Sequence, residues 1–231
     1  MGFGLSTPVT HYTIAPVSLP KGPGREQVTF LQIADKEAMR ACYYRYMAQT
    51  HGMVSFPERI WSQLFEDGEF RIVGYKEGDA VRGYLVFKFE PVPNGHFLAN
   101  DMLIRAFVYE SPAVMAALLS FLQTQADQVN RLILTVQDDS LHYLLADPRN
   151  GSGRMLPGIN HETAVFGLGI MFRVLDVPRL FAAWGERDFG GQTCRLRLTI
   201  RDTFLPENEG STVVYFENGR ATPNSPMLPM T

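Results

Sequence analysis

Cysteine is nearly absent: Cys42 and Cys194 are the only two in 231 residues. Two thiols make no disulfide framework, so a reducing cytoplasm is the expected setting. Runs of one charge sign are missing too. No two Lys or Arg residues are adjacent, and 21 basic against 24 acidic residues leave a formal net charge of -3. The basic field that holds nucleic acid is therefore lacking. No stretch approaches the roughly 18 consecutive apolar residues of a membrane span. Met1 to Pro20 carry neither the early basic cluster nor the continuous apolar centre of a secretory leader. Nucleic acid and membrane are not expected partners. Metal chemistry has little to draw on either, because His11, His51, His96, His142 and His161 are scattered with no pair at helical i, i+4 spacing. No metal-ligating residue is expected.

What the chain does have is apolar material, 45% hydrophobic and 12% aromatic against 19% charged residues. That is enough for one large or two small cores. The organising stretch is Met102 to Gln137. Leu103 to Tyr109 is an apolar run rich in branched and aromatic side chains, the pattern of a buried strand. Ser111 before Pro112 is a helix start, since serine accepts a bond from an orphan amide and proline at the first helical position forfeits none. Val114, Leu118, Leu119 and Leu122 then recur at helical spacing, and Leu132 to Val136 is a second strand. Together they predict a parallel βαβ unit.

Around that unit, Phe3 to Ile14 reads as a strand without neighbours to pair with, and Leu19 to Gly24 as a linker made of proline and glycine. Gln27 to Ile33 is a strand candidate. Asp35 is placed to cap a helix that gathers Met39, Cys42, Tyr43, Tyr46 and Met47 on one side and ends at His51 and Gly52. Pro57 opens a shorter helix with Ile60, Trp61, Leu64 and Phe65. Phe70 to Tyr75 and Val81 to Phe89 form a hairpin turning at Gly78 and Asp79. Asp138 to Ser140 cap a short helix through Leu145. Beyond the glycine-rich loop from Asn150 to Gly158, the pattern predicts a strand from Val165 to Val174, a helix to Trp184, and strands at Thr193 to Ile200 and Thr212 to Phe216, the last followed by an Asn218 and Gly219 turn.

This order of pieces resembles the Eis-type branch of the GNAT acetyltransferases. Gly2 to Gly4 and Thr10 to Ile14 look like the last strand of that family's catalytic domain. Tyr46 to Val54, Trp61 and Leu144 to Arg149 look like its middle, non-catalytic GNAT domain, and Met171 to Phe181 like the opening of its sterol-carrier-like domain. The resemblance implies an α+β fold, a GNAT-like mixed sheet with flanking helices followed by a partial sterol-carrier-like α+β domain. Its boundaries fall at 1–22 for the remnant of the first domain and linker, 23–158 for the middle domain, and 159–231 for the partial third. It also implies transfer of acetyl from acetyl-CoA to an amine by the intact protein, assembled as a homo-oligomer.

The functional residues of the family find no match in this chain. In a working GNAT site a glycine-containing loop at a helix N-terminus holds the diphosphate of acetyl-CoA on backbone amides. The corresponding stretch, Tyr109 to Val114, has no glycine, a proline in place of one amide, and the Glu110 carboxylate where phosphates would approach. No catalytic and no cofactor-binding residue is expected here, and the fragment is expected to be inactive alone and not to bind acetyl-CoA. The resemblance places the cradle and the general acid before Met1, and the general-base carboxylate after the last residue.

The remaining motifs have bland readings. Cys42 is a packed thiol, lacking the base a nucleophile needs. Tyr43, Tyr44, Tyr46 and Trp61 are core, with an aromatic pocket for a cationic amine as the sharper reading. Glu66, Asp67 and Glu69 form a solvated turn, and the glycines at 151, 153, 190 and 191 are loops. A second function class is a non-catalytic module binding an apolar ligand through the sterol-carrier-like portion.

Overall fold

The computed structural model describes residues 3–5, 8–50, 52–92 and 99–223. In chain order its elements are β1 (Gly4–Leu5), β2 (Val9–Ile14), β3 (Val28–Phe30), α1 (Lys36–Gln49), α2 (Glu58–Glu66), β4 (Arg71–Glu77), β5 (Ala80–Pro91), β6 (Asn100–Tyr109), α3 (Pro112–Gln123), β7 (Val129–Val136), β8 (Met155–Leu156), β9 (Asn160–His161), β10 (Ala164–Gly167), β11 (Met171–Phe172), α4 (Val177–Ala183), β12 (Cys194–Ile200), β13 (Gly210–Glu217) and β14 (Arg220–Pro223). Contacts divide the chain into residues 7–169 and a second unit of 1–6 with 170–231.

The larger unit is built on a seven-stranded mixed sheet in the order β10-β2-β7-β6-β5-β4-β3, in which β6 and β7 run parallel and the other neighbours antiparallel. Strand β5 explains the layering. Leu85 and Phe87 belong to one buried cluster, with Val114, Leu118, Leu119 and Leu122 of α3. Tyr84 and Val86 belong to the other, with Met39, Cys42 and Tyr43 of α1 and Trp61 of α2. Successive residues of a strand point to opposite faces, so α3 covers one face and α1 with α2 the other. A strand buried on both sides must be apolar throughout, and residues 84–87 are. This is the expected α+β fold, a mixed sheet with flanking helices.

Two local choices hold α3 against the sheet. Ser111 caps it, its hydroxyl accepting from the Val114 amide at 3.3 Å, with Pro112 at the first helical position. Gly83 lets it approach, since a Cβ there would overlap Val114 Cγ1 and stand 2.9 Å from the Val108 carbonyl oxygen.

Several elements differ from the sequence reading. The Val9–Ile14 strand has neighbours on both sides, β7 and β10. The segment from Leu19 to Gly24 lies against α3, with Leu19 buried and Gly22 beside Ala116. The strand at Gln27 to Ile33 shrinks to Val28–Phe30 between single 3-10 turns. Asp35 stands at the start of α1 without capping it by its side chain, because that carboxylate accepts from the Gln32 amide at 2.9 Å and Lys76 Nζ at 2.8 Å. Residues 165–174 are not one strand: β10 pairs with β2 in the larger unit, and β11 with β1 in the smaller. The turn after Val136 is a 3-10 helix, Leu141–Leu144, and Ser140 bonds Asp138 in place of capping it. His51, His96 and the residues of the 93–98 segment lie outside the described residues.

The smaller unit packs α4 on β12-β13-β14 around Val214, Phe216 and Ala221, with Phe181, Phe189 and Leu198 beside them. Asp176 caps α4 by accepting from the Arg179 amide at 2.8 Å. Asn218 (φ 49°) and Gly219 (φ 82°) form the two-residue hairpin turn expected of an Asn-Gly pair. A second anchor is Asp202, which accepts from the Leu205 amide at 2.9 Å and Asn208 Nδ2 at 3.1 Å and pairs with the buried guanidinium of Arg173.

Candidate functional site

The parallel pairing of β6 with β7 ends at Ile104 opposite Leu134, although β6 continues to Tyr109 and β7 to Val136. The cause is a bulge. Ile104 pairs with Phe87 and Ala106 with Val86, leaving Arg105 as an extra residue in β6. One inserted residue reverses which face each later side chain meets. Met102 and Ile104 therefore join the α3 cluster while Val108 joins the α1 cluster, and Phe107 and Tyr109 pack back on the α3 cluster. The bulge also turns the strand away from β7, and the two splay into a notch of about 380 Å³.

Tyr46 from α1 and Phe107 and Tyr109 from β6 line that notch, with Ile104 and Leu134 at the apex and Asp138 just past the end of β7. The Phe107 and Tyr109 rings are 5.0 Å apart and the Tyr46 and Tyr109 rings 5.7 Å. Burial, then Tyr46 and the Asp138 carboxylate, push the Tyr109 phenol up to about 12. Burial likewise raises Tyr46, against a bond from Thr50 and with help from Asp138. Arg105 stands exposed on the same lining, with no ion pair among the described residues.

At the far end of β6, where a GNAT cradle would lie, the chain's own polar groups bond to one another. Glu110 accepts from Arg45 Nε at 2.9 Å and pairs with Arg45 Nη2 at 2.7 Å and Arg82 Nη1 at 3.4 Å. Burial opposes its charge, but Arg45, Cys42 and the Arg82 guanidinium together hold the carboxyl below the usual range. The anion expected from the sequence is thus present but compensated, by two arginines that nothing in the local sequence announced. Of the first residues of α3, Pro112 has no amide to offer and the Val114 amide is taken by Ser111. Cys42 is fully buried beside this cluster, and burial followed by the Glu110 carboxylate pushes its thiol up to about 12. A thiol held protonated in that way is packing, not a nucleophile.

The aromatic group read from the sequence divides. Tyr43 and Trp61 are core, their rings 5.3 Å apart and the Tyr43 hydroxyl donating to the Val54 carbonyl at 2.6 Å. Tyr44 meets the Tyr43 ring edge-on at 5.9 Å, and Tyr46 alone of the four reaches the notch. The acidic run is a turn: Asp67 accepts from the Glu69 amide at 3.0 Å, and Glu69 pairs with Lys88 at 2.6 Å. Glycines 151, 153, 190 and 191 all take positive φ in loops. Among the histidines, His11 bonds Thr135 at 3.0 Å, whereas His142 and His161, distant in sequence, line one shallow pocket with Arg154 and Glu162. Among the described residues no three of His, Cys, Asp or Glu are grouped to hold a metal, and no helix is long and apolar enough to cross a membrane.

A mixed α+β sheet whose parallel central pair is bulged and splayed defines the class of fold. A family model described as an acetyltransferase (GNAT) domain matches residues 52–173, more than half of the chain, and the chain belongs to that family. Solved structures agree in fold. A GCN5-related N-acetyltransferase from Anabaena variabilis superposes with a TM-score of 0.75 at 17% identity over 98% of this chain and 55% of that one. A GCN5-related N-acetyltransferase from Kribbella flavida gives 0.70 at 19% over 100% and 53%. Eis1 from Mycobacterium abscessus gives 0.64 at 20% over 97% and 55%. The chain spans about half the length of these structures. Among curated proteins none matches.

Proposed function

We propose that this chain is part of a longer, Eis-like N-acetyltransferase which, when intact, transfers acetyl from acetyl-CoA to an amine in the cytoplasm as a homo-oligomer. In this reading residues 23–158 are a middle GNAT domain without its own coenzyme loop, 1–22 derive from the domain before it, and 159–231 open a sterol-carrier-like domain. Strand β2, within 1–22, pairs with β7 of the 23–158 segment and with β10 of the 159–231 segment. The chain supplies scaffold and a wall of the cleft, and by itself is inactive.

The single observation that carries this is the state of the βα turn at 109–114. A diphosphate needs several uncommitted backbone amides at a helix N-terminus and no competing anion. Here one amide is replaced by Pro112, another is bonded to Ser111, and the Glu110 carboxylate already satisfies the two nearby guanidinium groups. The residues present do not fit acetyl-CoA, so the coenzyme of the intact protein is held elsewhere in the longer chain.

The test compares this chain with a protein carrying the adjoining coding sequence on both sides, each incubated with acetyl-CoA and a polyamine while free thiol is followed. The longer protein should release coenzyme A with amine-dependent turnover and the chain alone should not. Turnover by the chain alone would refute the proposal.

A further inference from the structure

Four of the chain's 21 basic residues are lysine, and one of the four stands apart from the rest. Lys36, at the start of α1, donates to Glu58 of α2 at 2.5 Å, Lys76 of β4 pairs with Asp35 at 2.8 Å, and Lys88 of β5 pairs with Glu69 at 2.6 Å and Glu90 at 2.9 Å. Each of these side chains is less than a third exposed. The bonded Glu58, Asp35 and Glu69 carboxylates raise the three ammonium groups above the ordinary lysine value. Lys21, by contrast, is exposed and makes no hydrogen bond or ion pair among the described residues. The packing gives the reason. Leu19 is buried, and the backbone at Gly22 and Gly24 lies so close to α3 that a Cβ would stand 3.3 Å from the Ala116 Cβ and 3.2 Å from the Ala117 Cβ respectively. Lys21 and Pro23 are exposed between these contacts, and α3 offers no carboxylate, since Pro112–Gln123 contains neither Asp nor Glu.

We propose that Lys21 is the lysine of this chain that accepts an acetyl group, with acetyl-CoA as the donor. Such a reaction needs a neutral amine with a free lone pair and room for the thioester to approach. The ε-amine attacks the thioester carbonyl carbon, the C–N bond forms as the C–S bond breaks, the amine proton passes to water, and coenzyme A leaves as the thiolate. Lys36, Lys76 and Lys88 must first give up a bonded carboxylate, and exposed pairs of that kind lower the share of free amine by roughly twofold to fivefold. The arginines that fill the other basic positions stay protonated and do not compete. This acceptor role is independent of the Eis-like reading: it needs neither the catalytic part of a longer protein nor a coenzyme cradle in this chain.

The test incubates the folded chain with millimolar acetyl-CoA at pH 8, denatures it, caps the remaining amines with deuterated acetic anhydride, and reads the acetylated fraction at each lysine by peptide mass spectrometry. Lys21 should be acetylated roughly twofold to fivefold faster than each of the other three. In denaturing urea, where the ion pairs and the packing on α3 are gone, the four rates should converge. Lys21→Arg, which keeps the charge, should remove the fastest site and leave the other three rates unchanged. Two results would overturn the proposal: Lys36, Lys76 or Lys88 reacting as fast as Lys21 in the folded chain, or a lead of Lys21 that survives in urea and so owes nothing to the fold.

Discussion

Replacing Glu110 by Gln tests the electrostatics at the head of α3. The carboxylate side chain is only 19% exposed and takes two contacts from Arg45, at 2.9 and 2.7 Å, and one longer contact from Arg82 at 3.4 Å. A hydrogen bond to a charged group contributes about 1.5–3 kcal/mol, but the Arg45 and Arg82 side chains are both more than a third exposed, so screening by water brings each pair to roughly 0–1 kcal/mol. Glutamine keeps one acceptor, and Arg45 remains anchored by its 2.8 Å bond to the Val81 carbonyl, so the net loss should be about 1 kcal/mol. The pH dependence gives the mechanism. The folded-state carboxyl is depressed, so its stabilisation is complete above the unfolded value of about 4.3 and is lost as pH falls through the folded value. Urea unfolding at pH 7 should therefore separate wild type from Glu110→Gln, and a series toward pH 3 should bring the two together. Equal stability at pH 7, or a gap that persists in acid, would refute the ion-pair account.

Gly83→Ala should destabilise the larger unit by about 1–3 kcal/mol, because its Cβ would overlap Val114 and crowd the Val108 carbonyl; thermal unfolding reads it, and an unchanged midpoint would mean that α3 can shift freely. Asp202→Asn should raise amide exchange at Phe204 and Leu205, whose amides it accepts at 3.0 and 2.9 Å. The Leu205 amide is the leading cause of the depressed Asp202 carboxyl, so in the wild type the protection of these amides, relative to their intrinsic exchange rate, should fall only in acid, as pH falls through that lowered value.

The elements set by local chemistry were legible in the sequence. The βαβ unit, the Ser111-Pro112 start, the hairpin at Gly78 and Asp79 and the Asn218-Gly219 turn all follow from adjacent residues. What depends on distant partners was not. Arg45, Arg82 and Glu110 meet only because α1 crosses the sheet near the end of β6, and no spacing encodes that. Strand β2 looked unpaired because its partners, β7 and β10, come more than a hundred residues later. The bulge left one trace, the charged Arg105 inside an apolar run, where a regular strand buried on both faces would carry none. Its consequence, a notch that gathers Tyr46 with Phe107 and Tyr109, needs the parity switch that the bulge imposes.

The central claim is that the GNAT domain in this chain carries no diphosphate cradle, and calorimetric titration of the chain with acetyl-CoA tests it most directly. The account predicts no saturable heat up to about 1 mM coenzyme, the level at which binding is worth only about 4 kcal/mol. Saturable binding in the micromolar range, accompanied by amide shifts at residues 110–115, would contradict it.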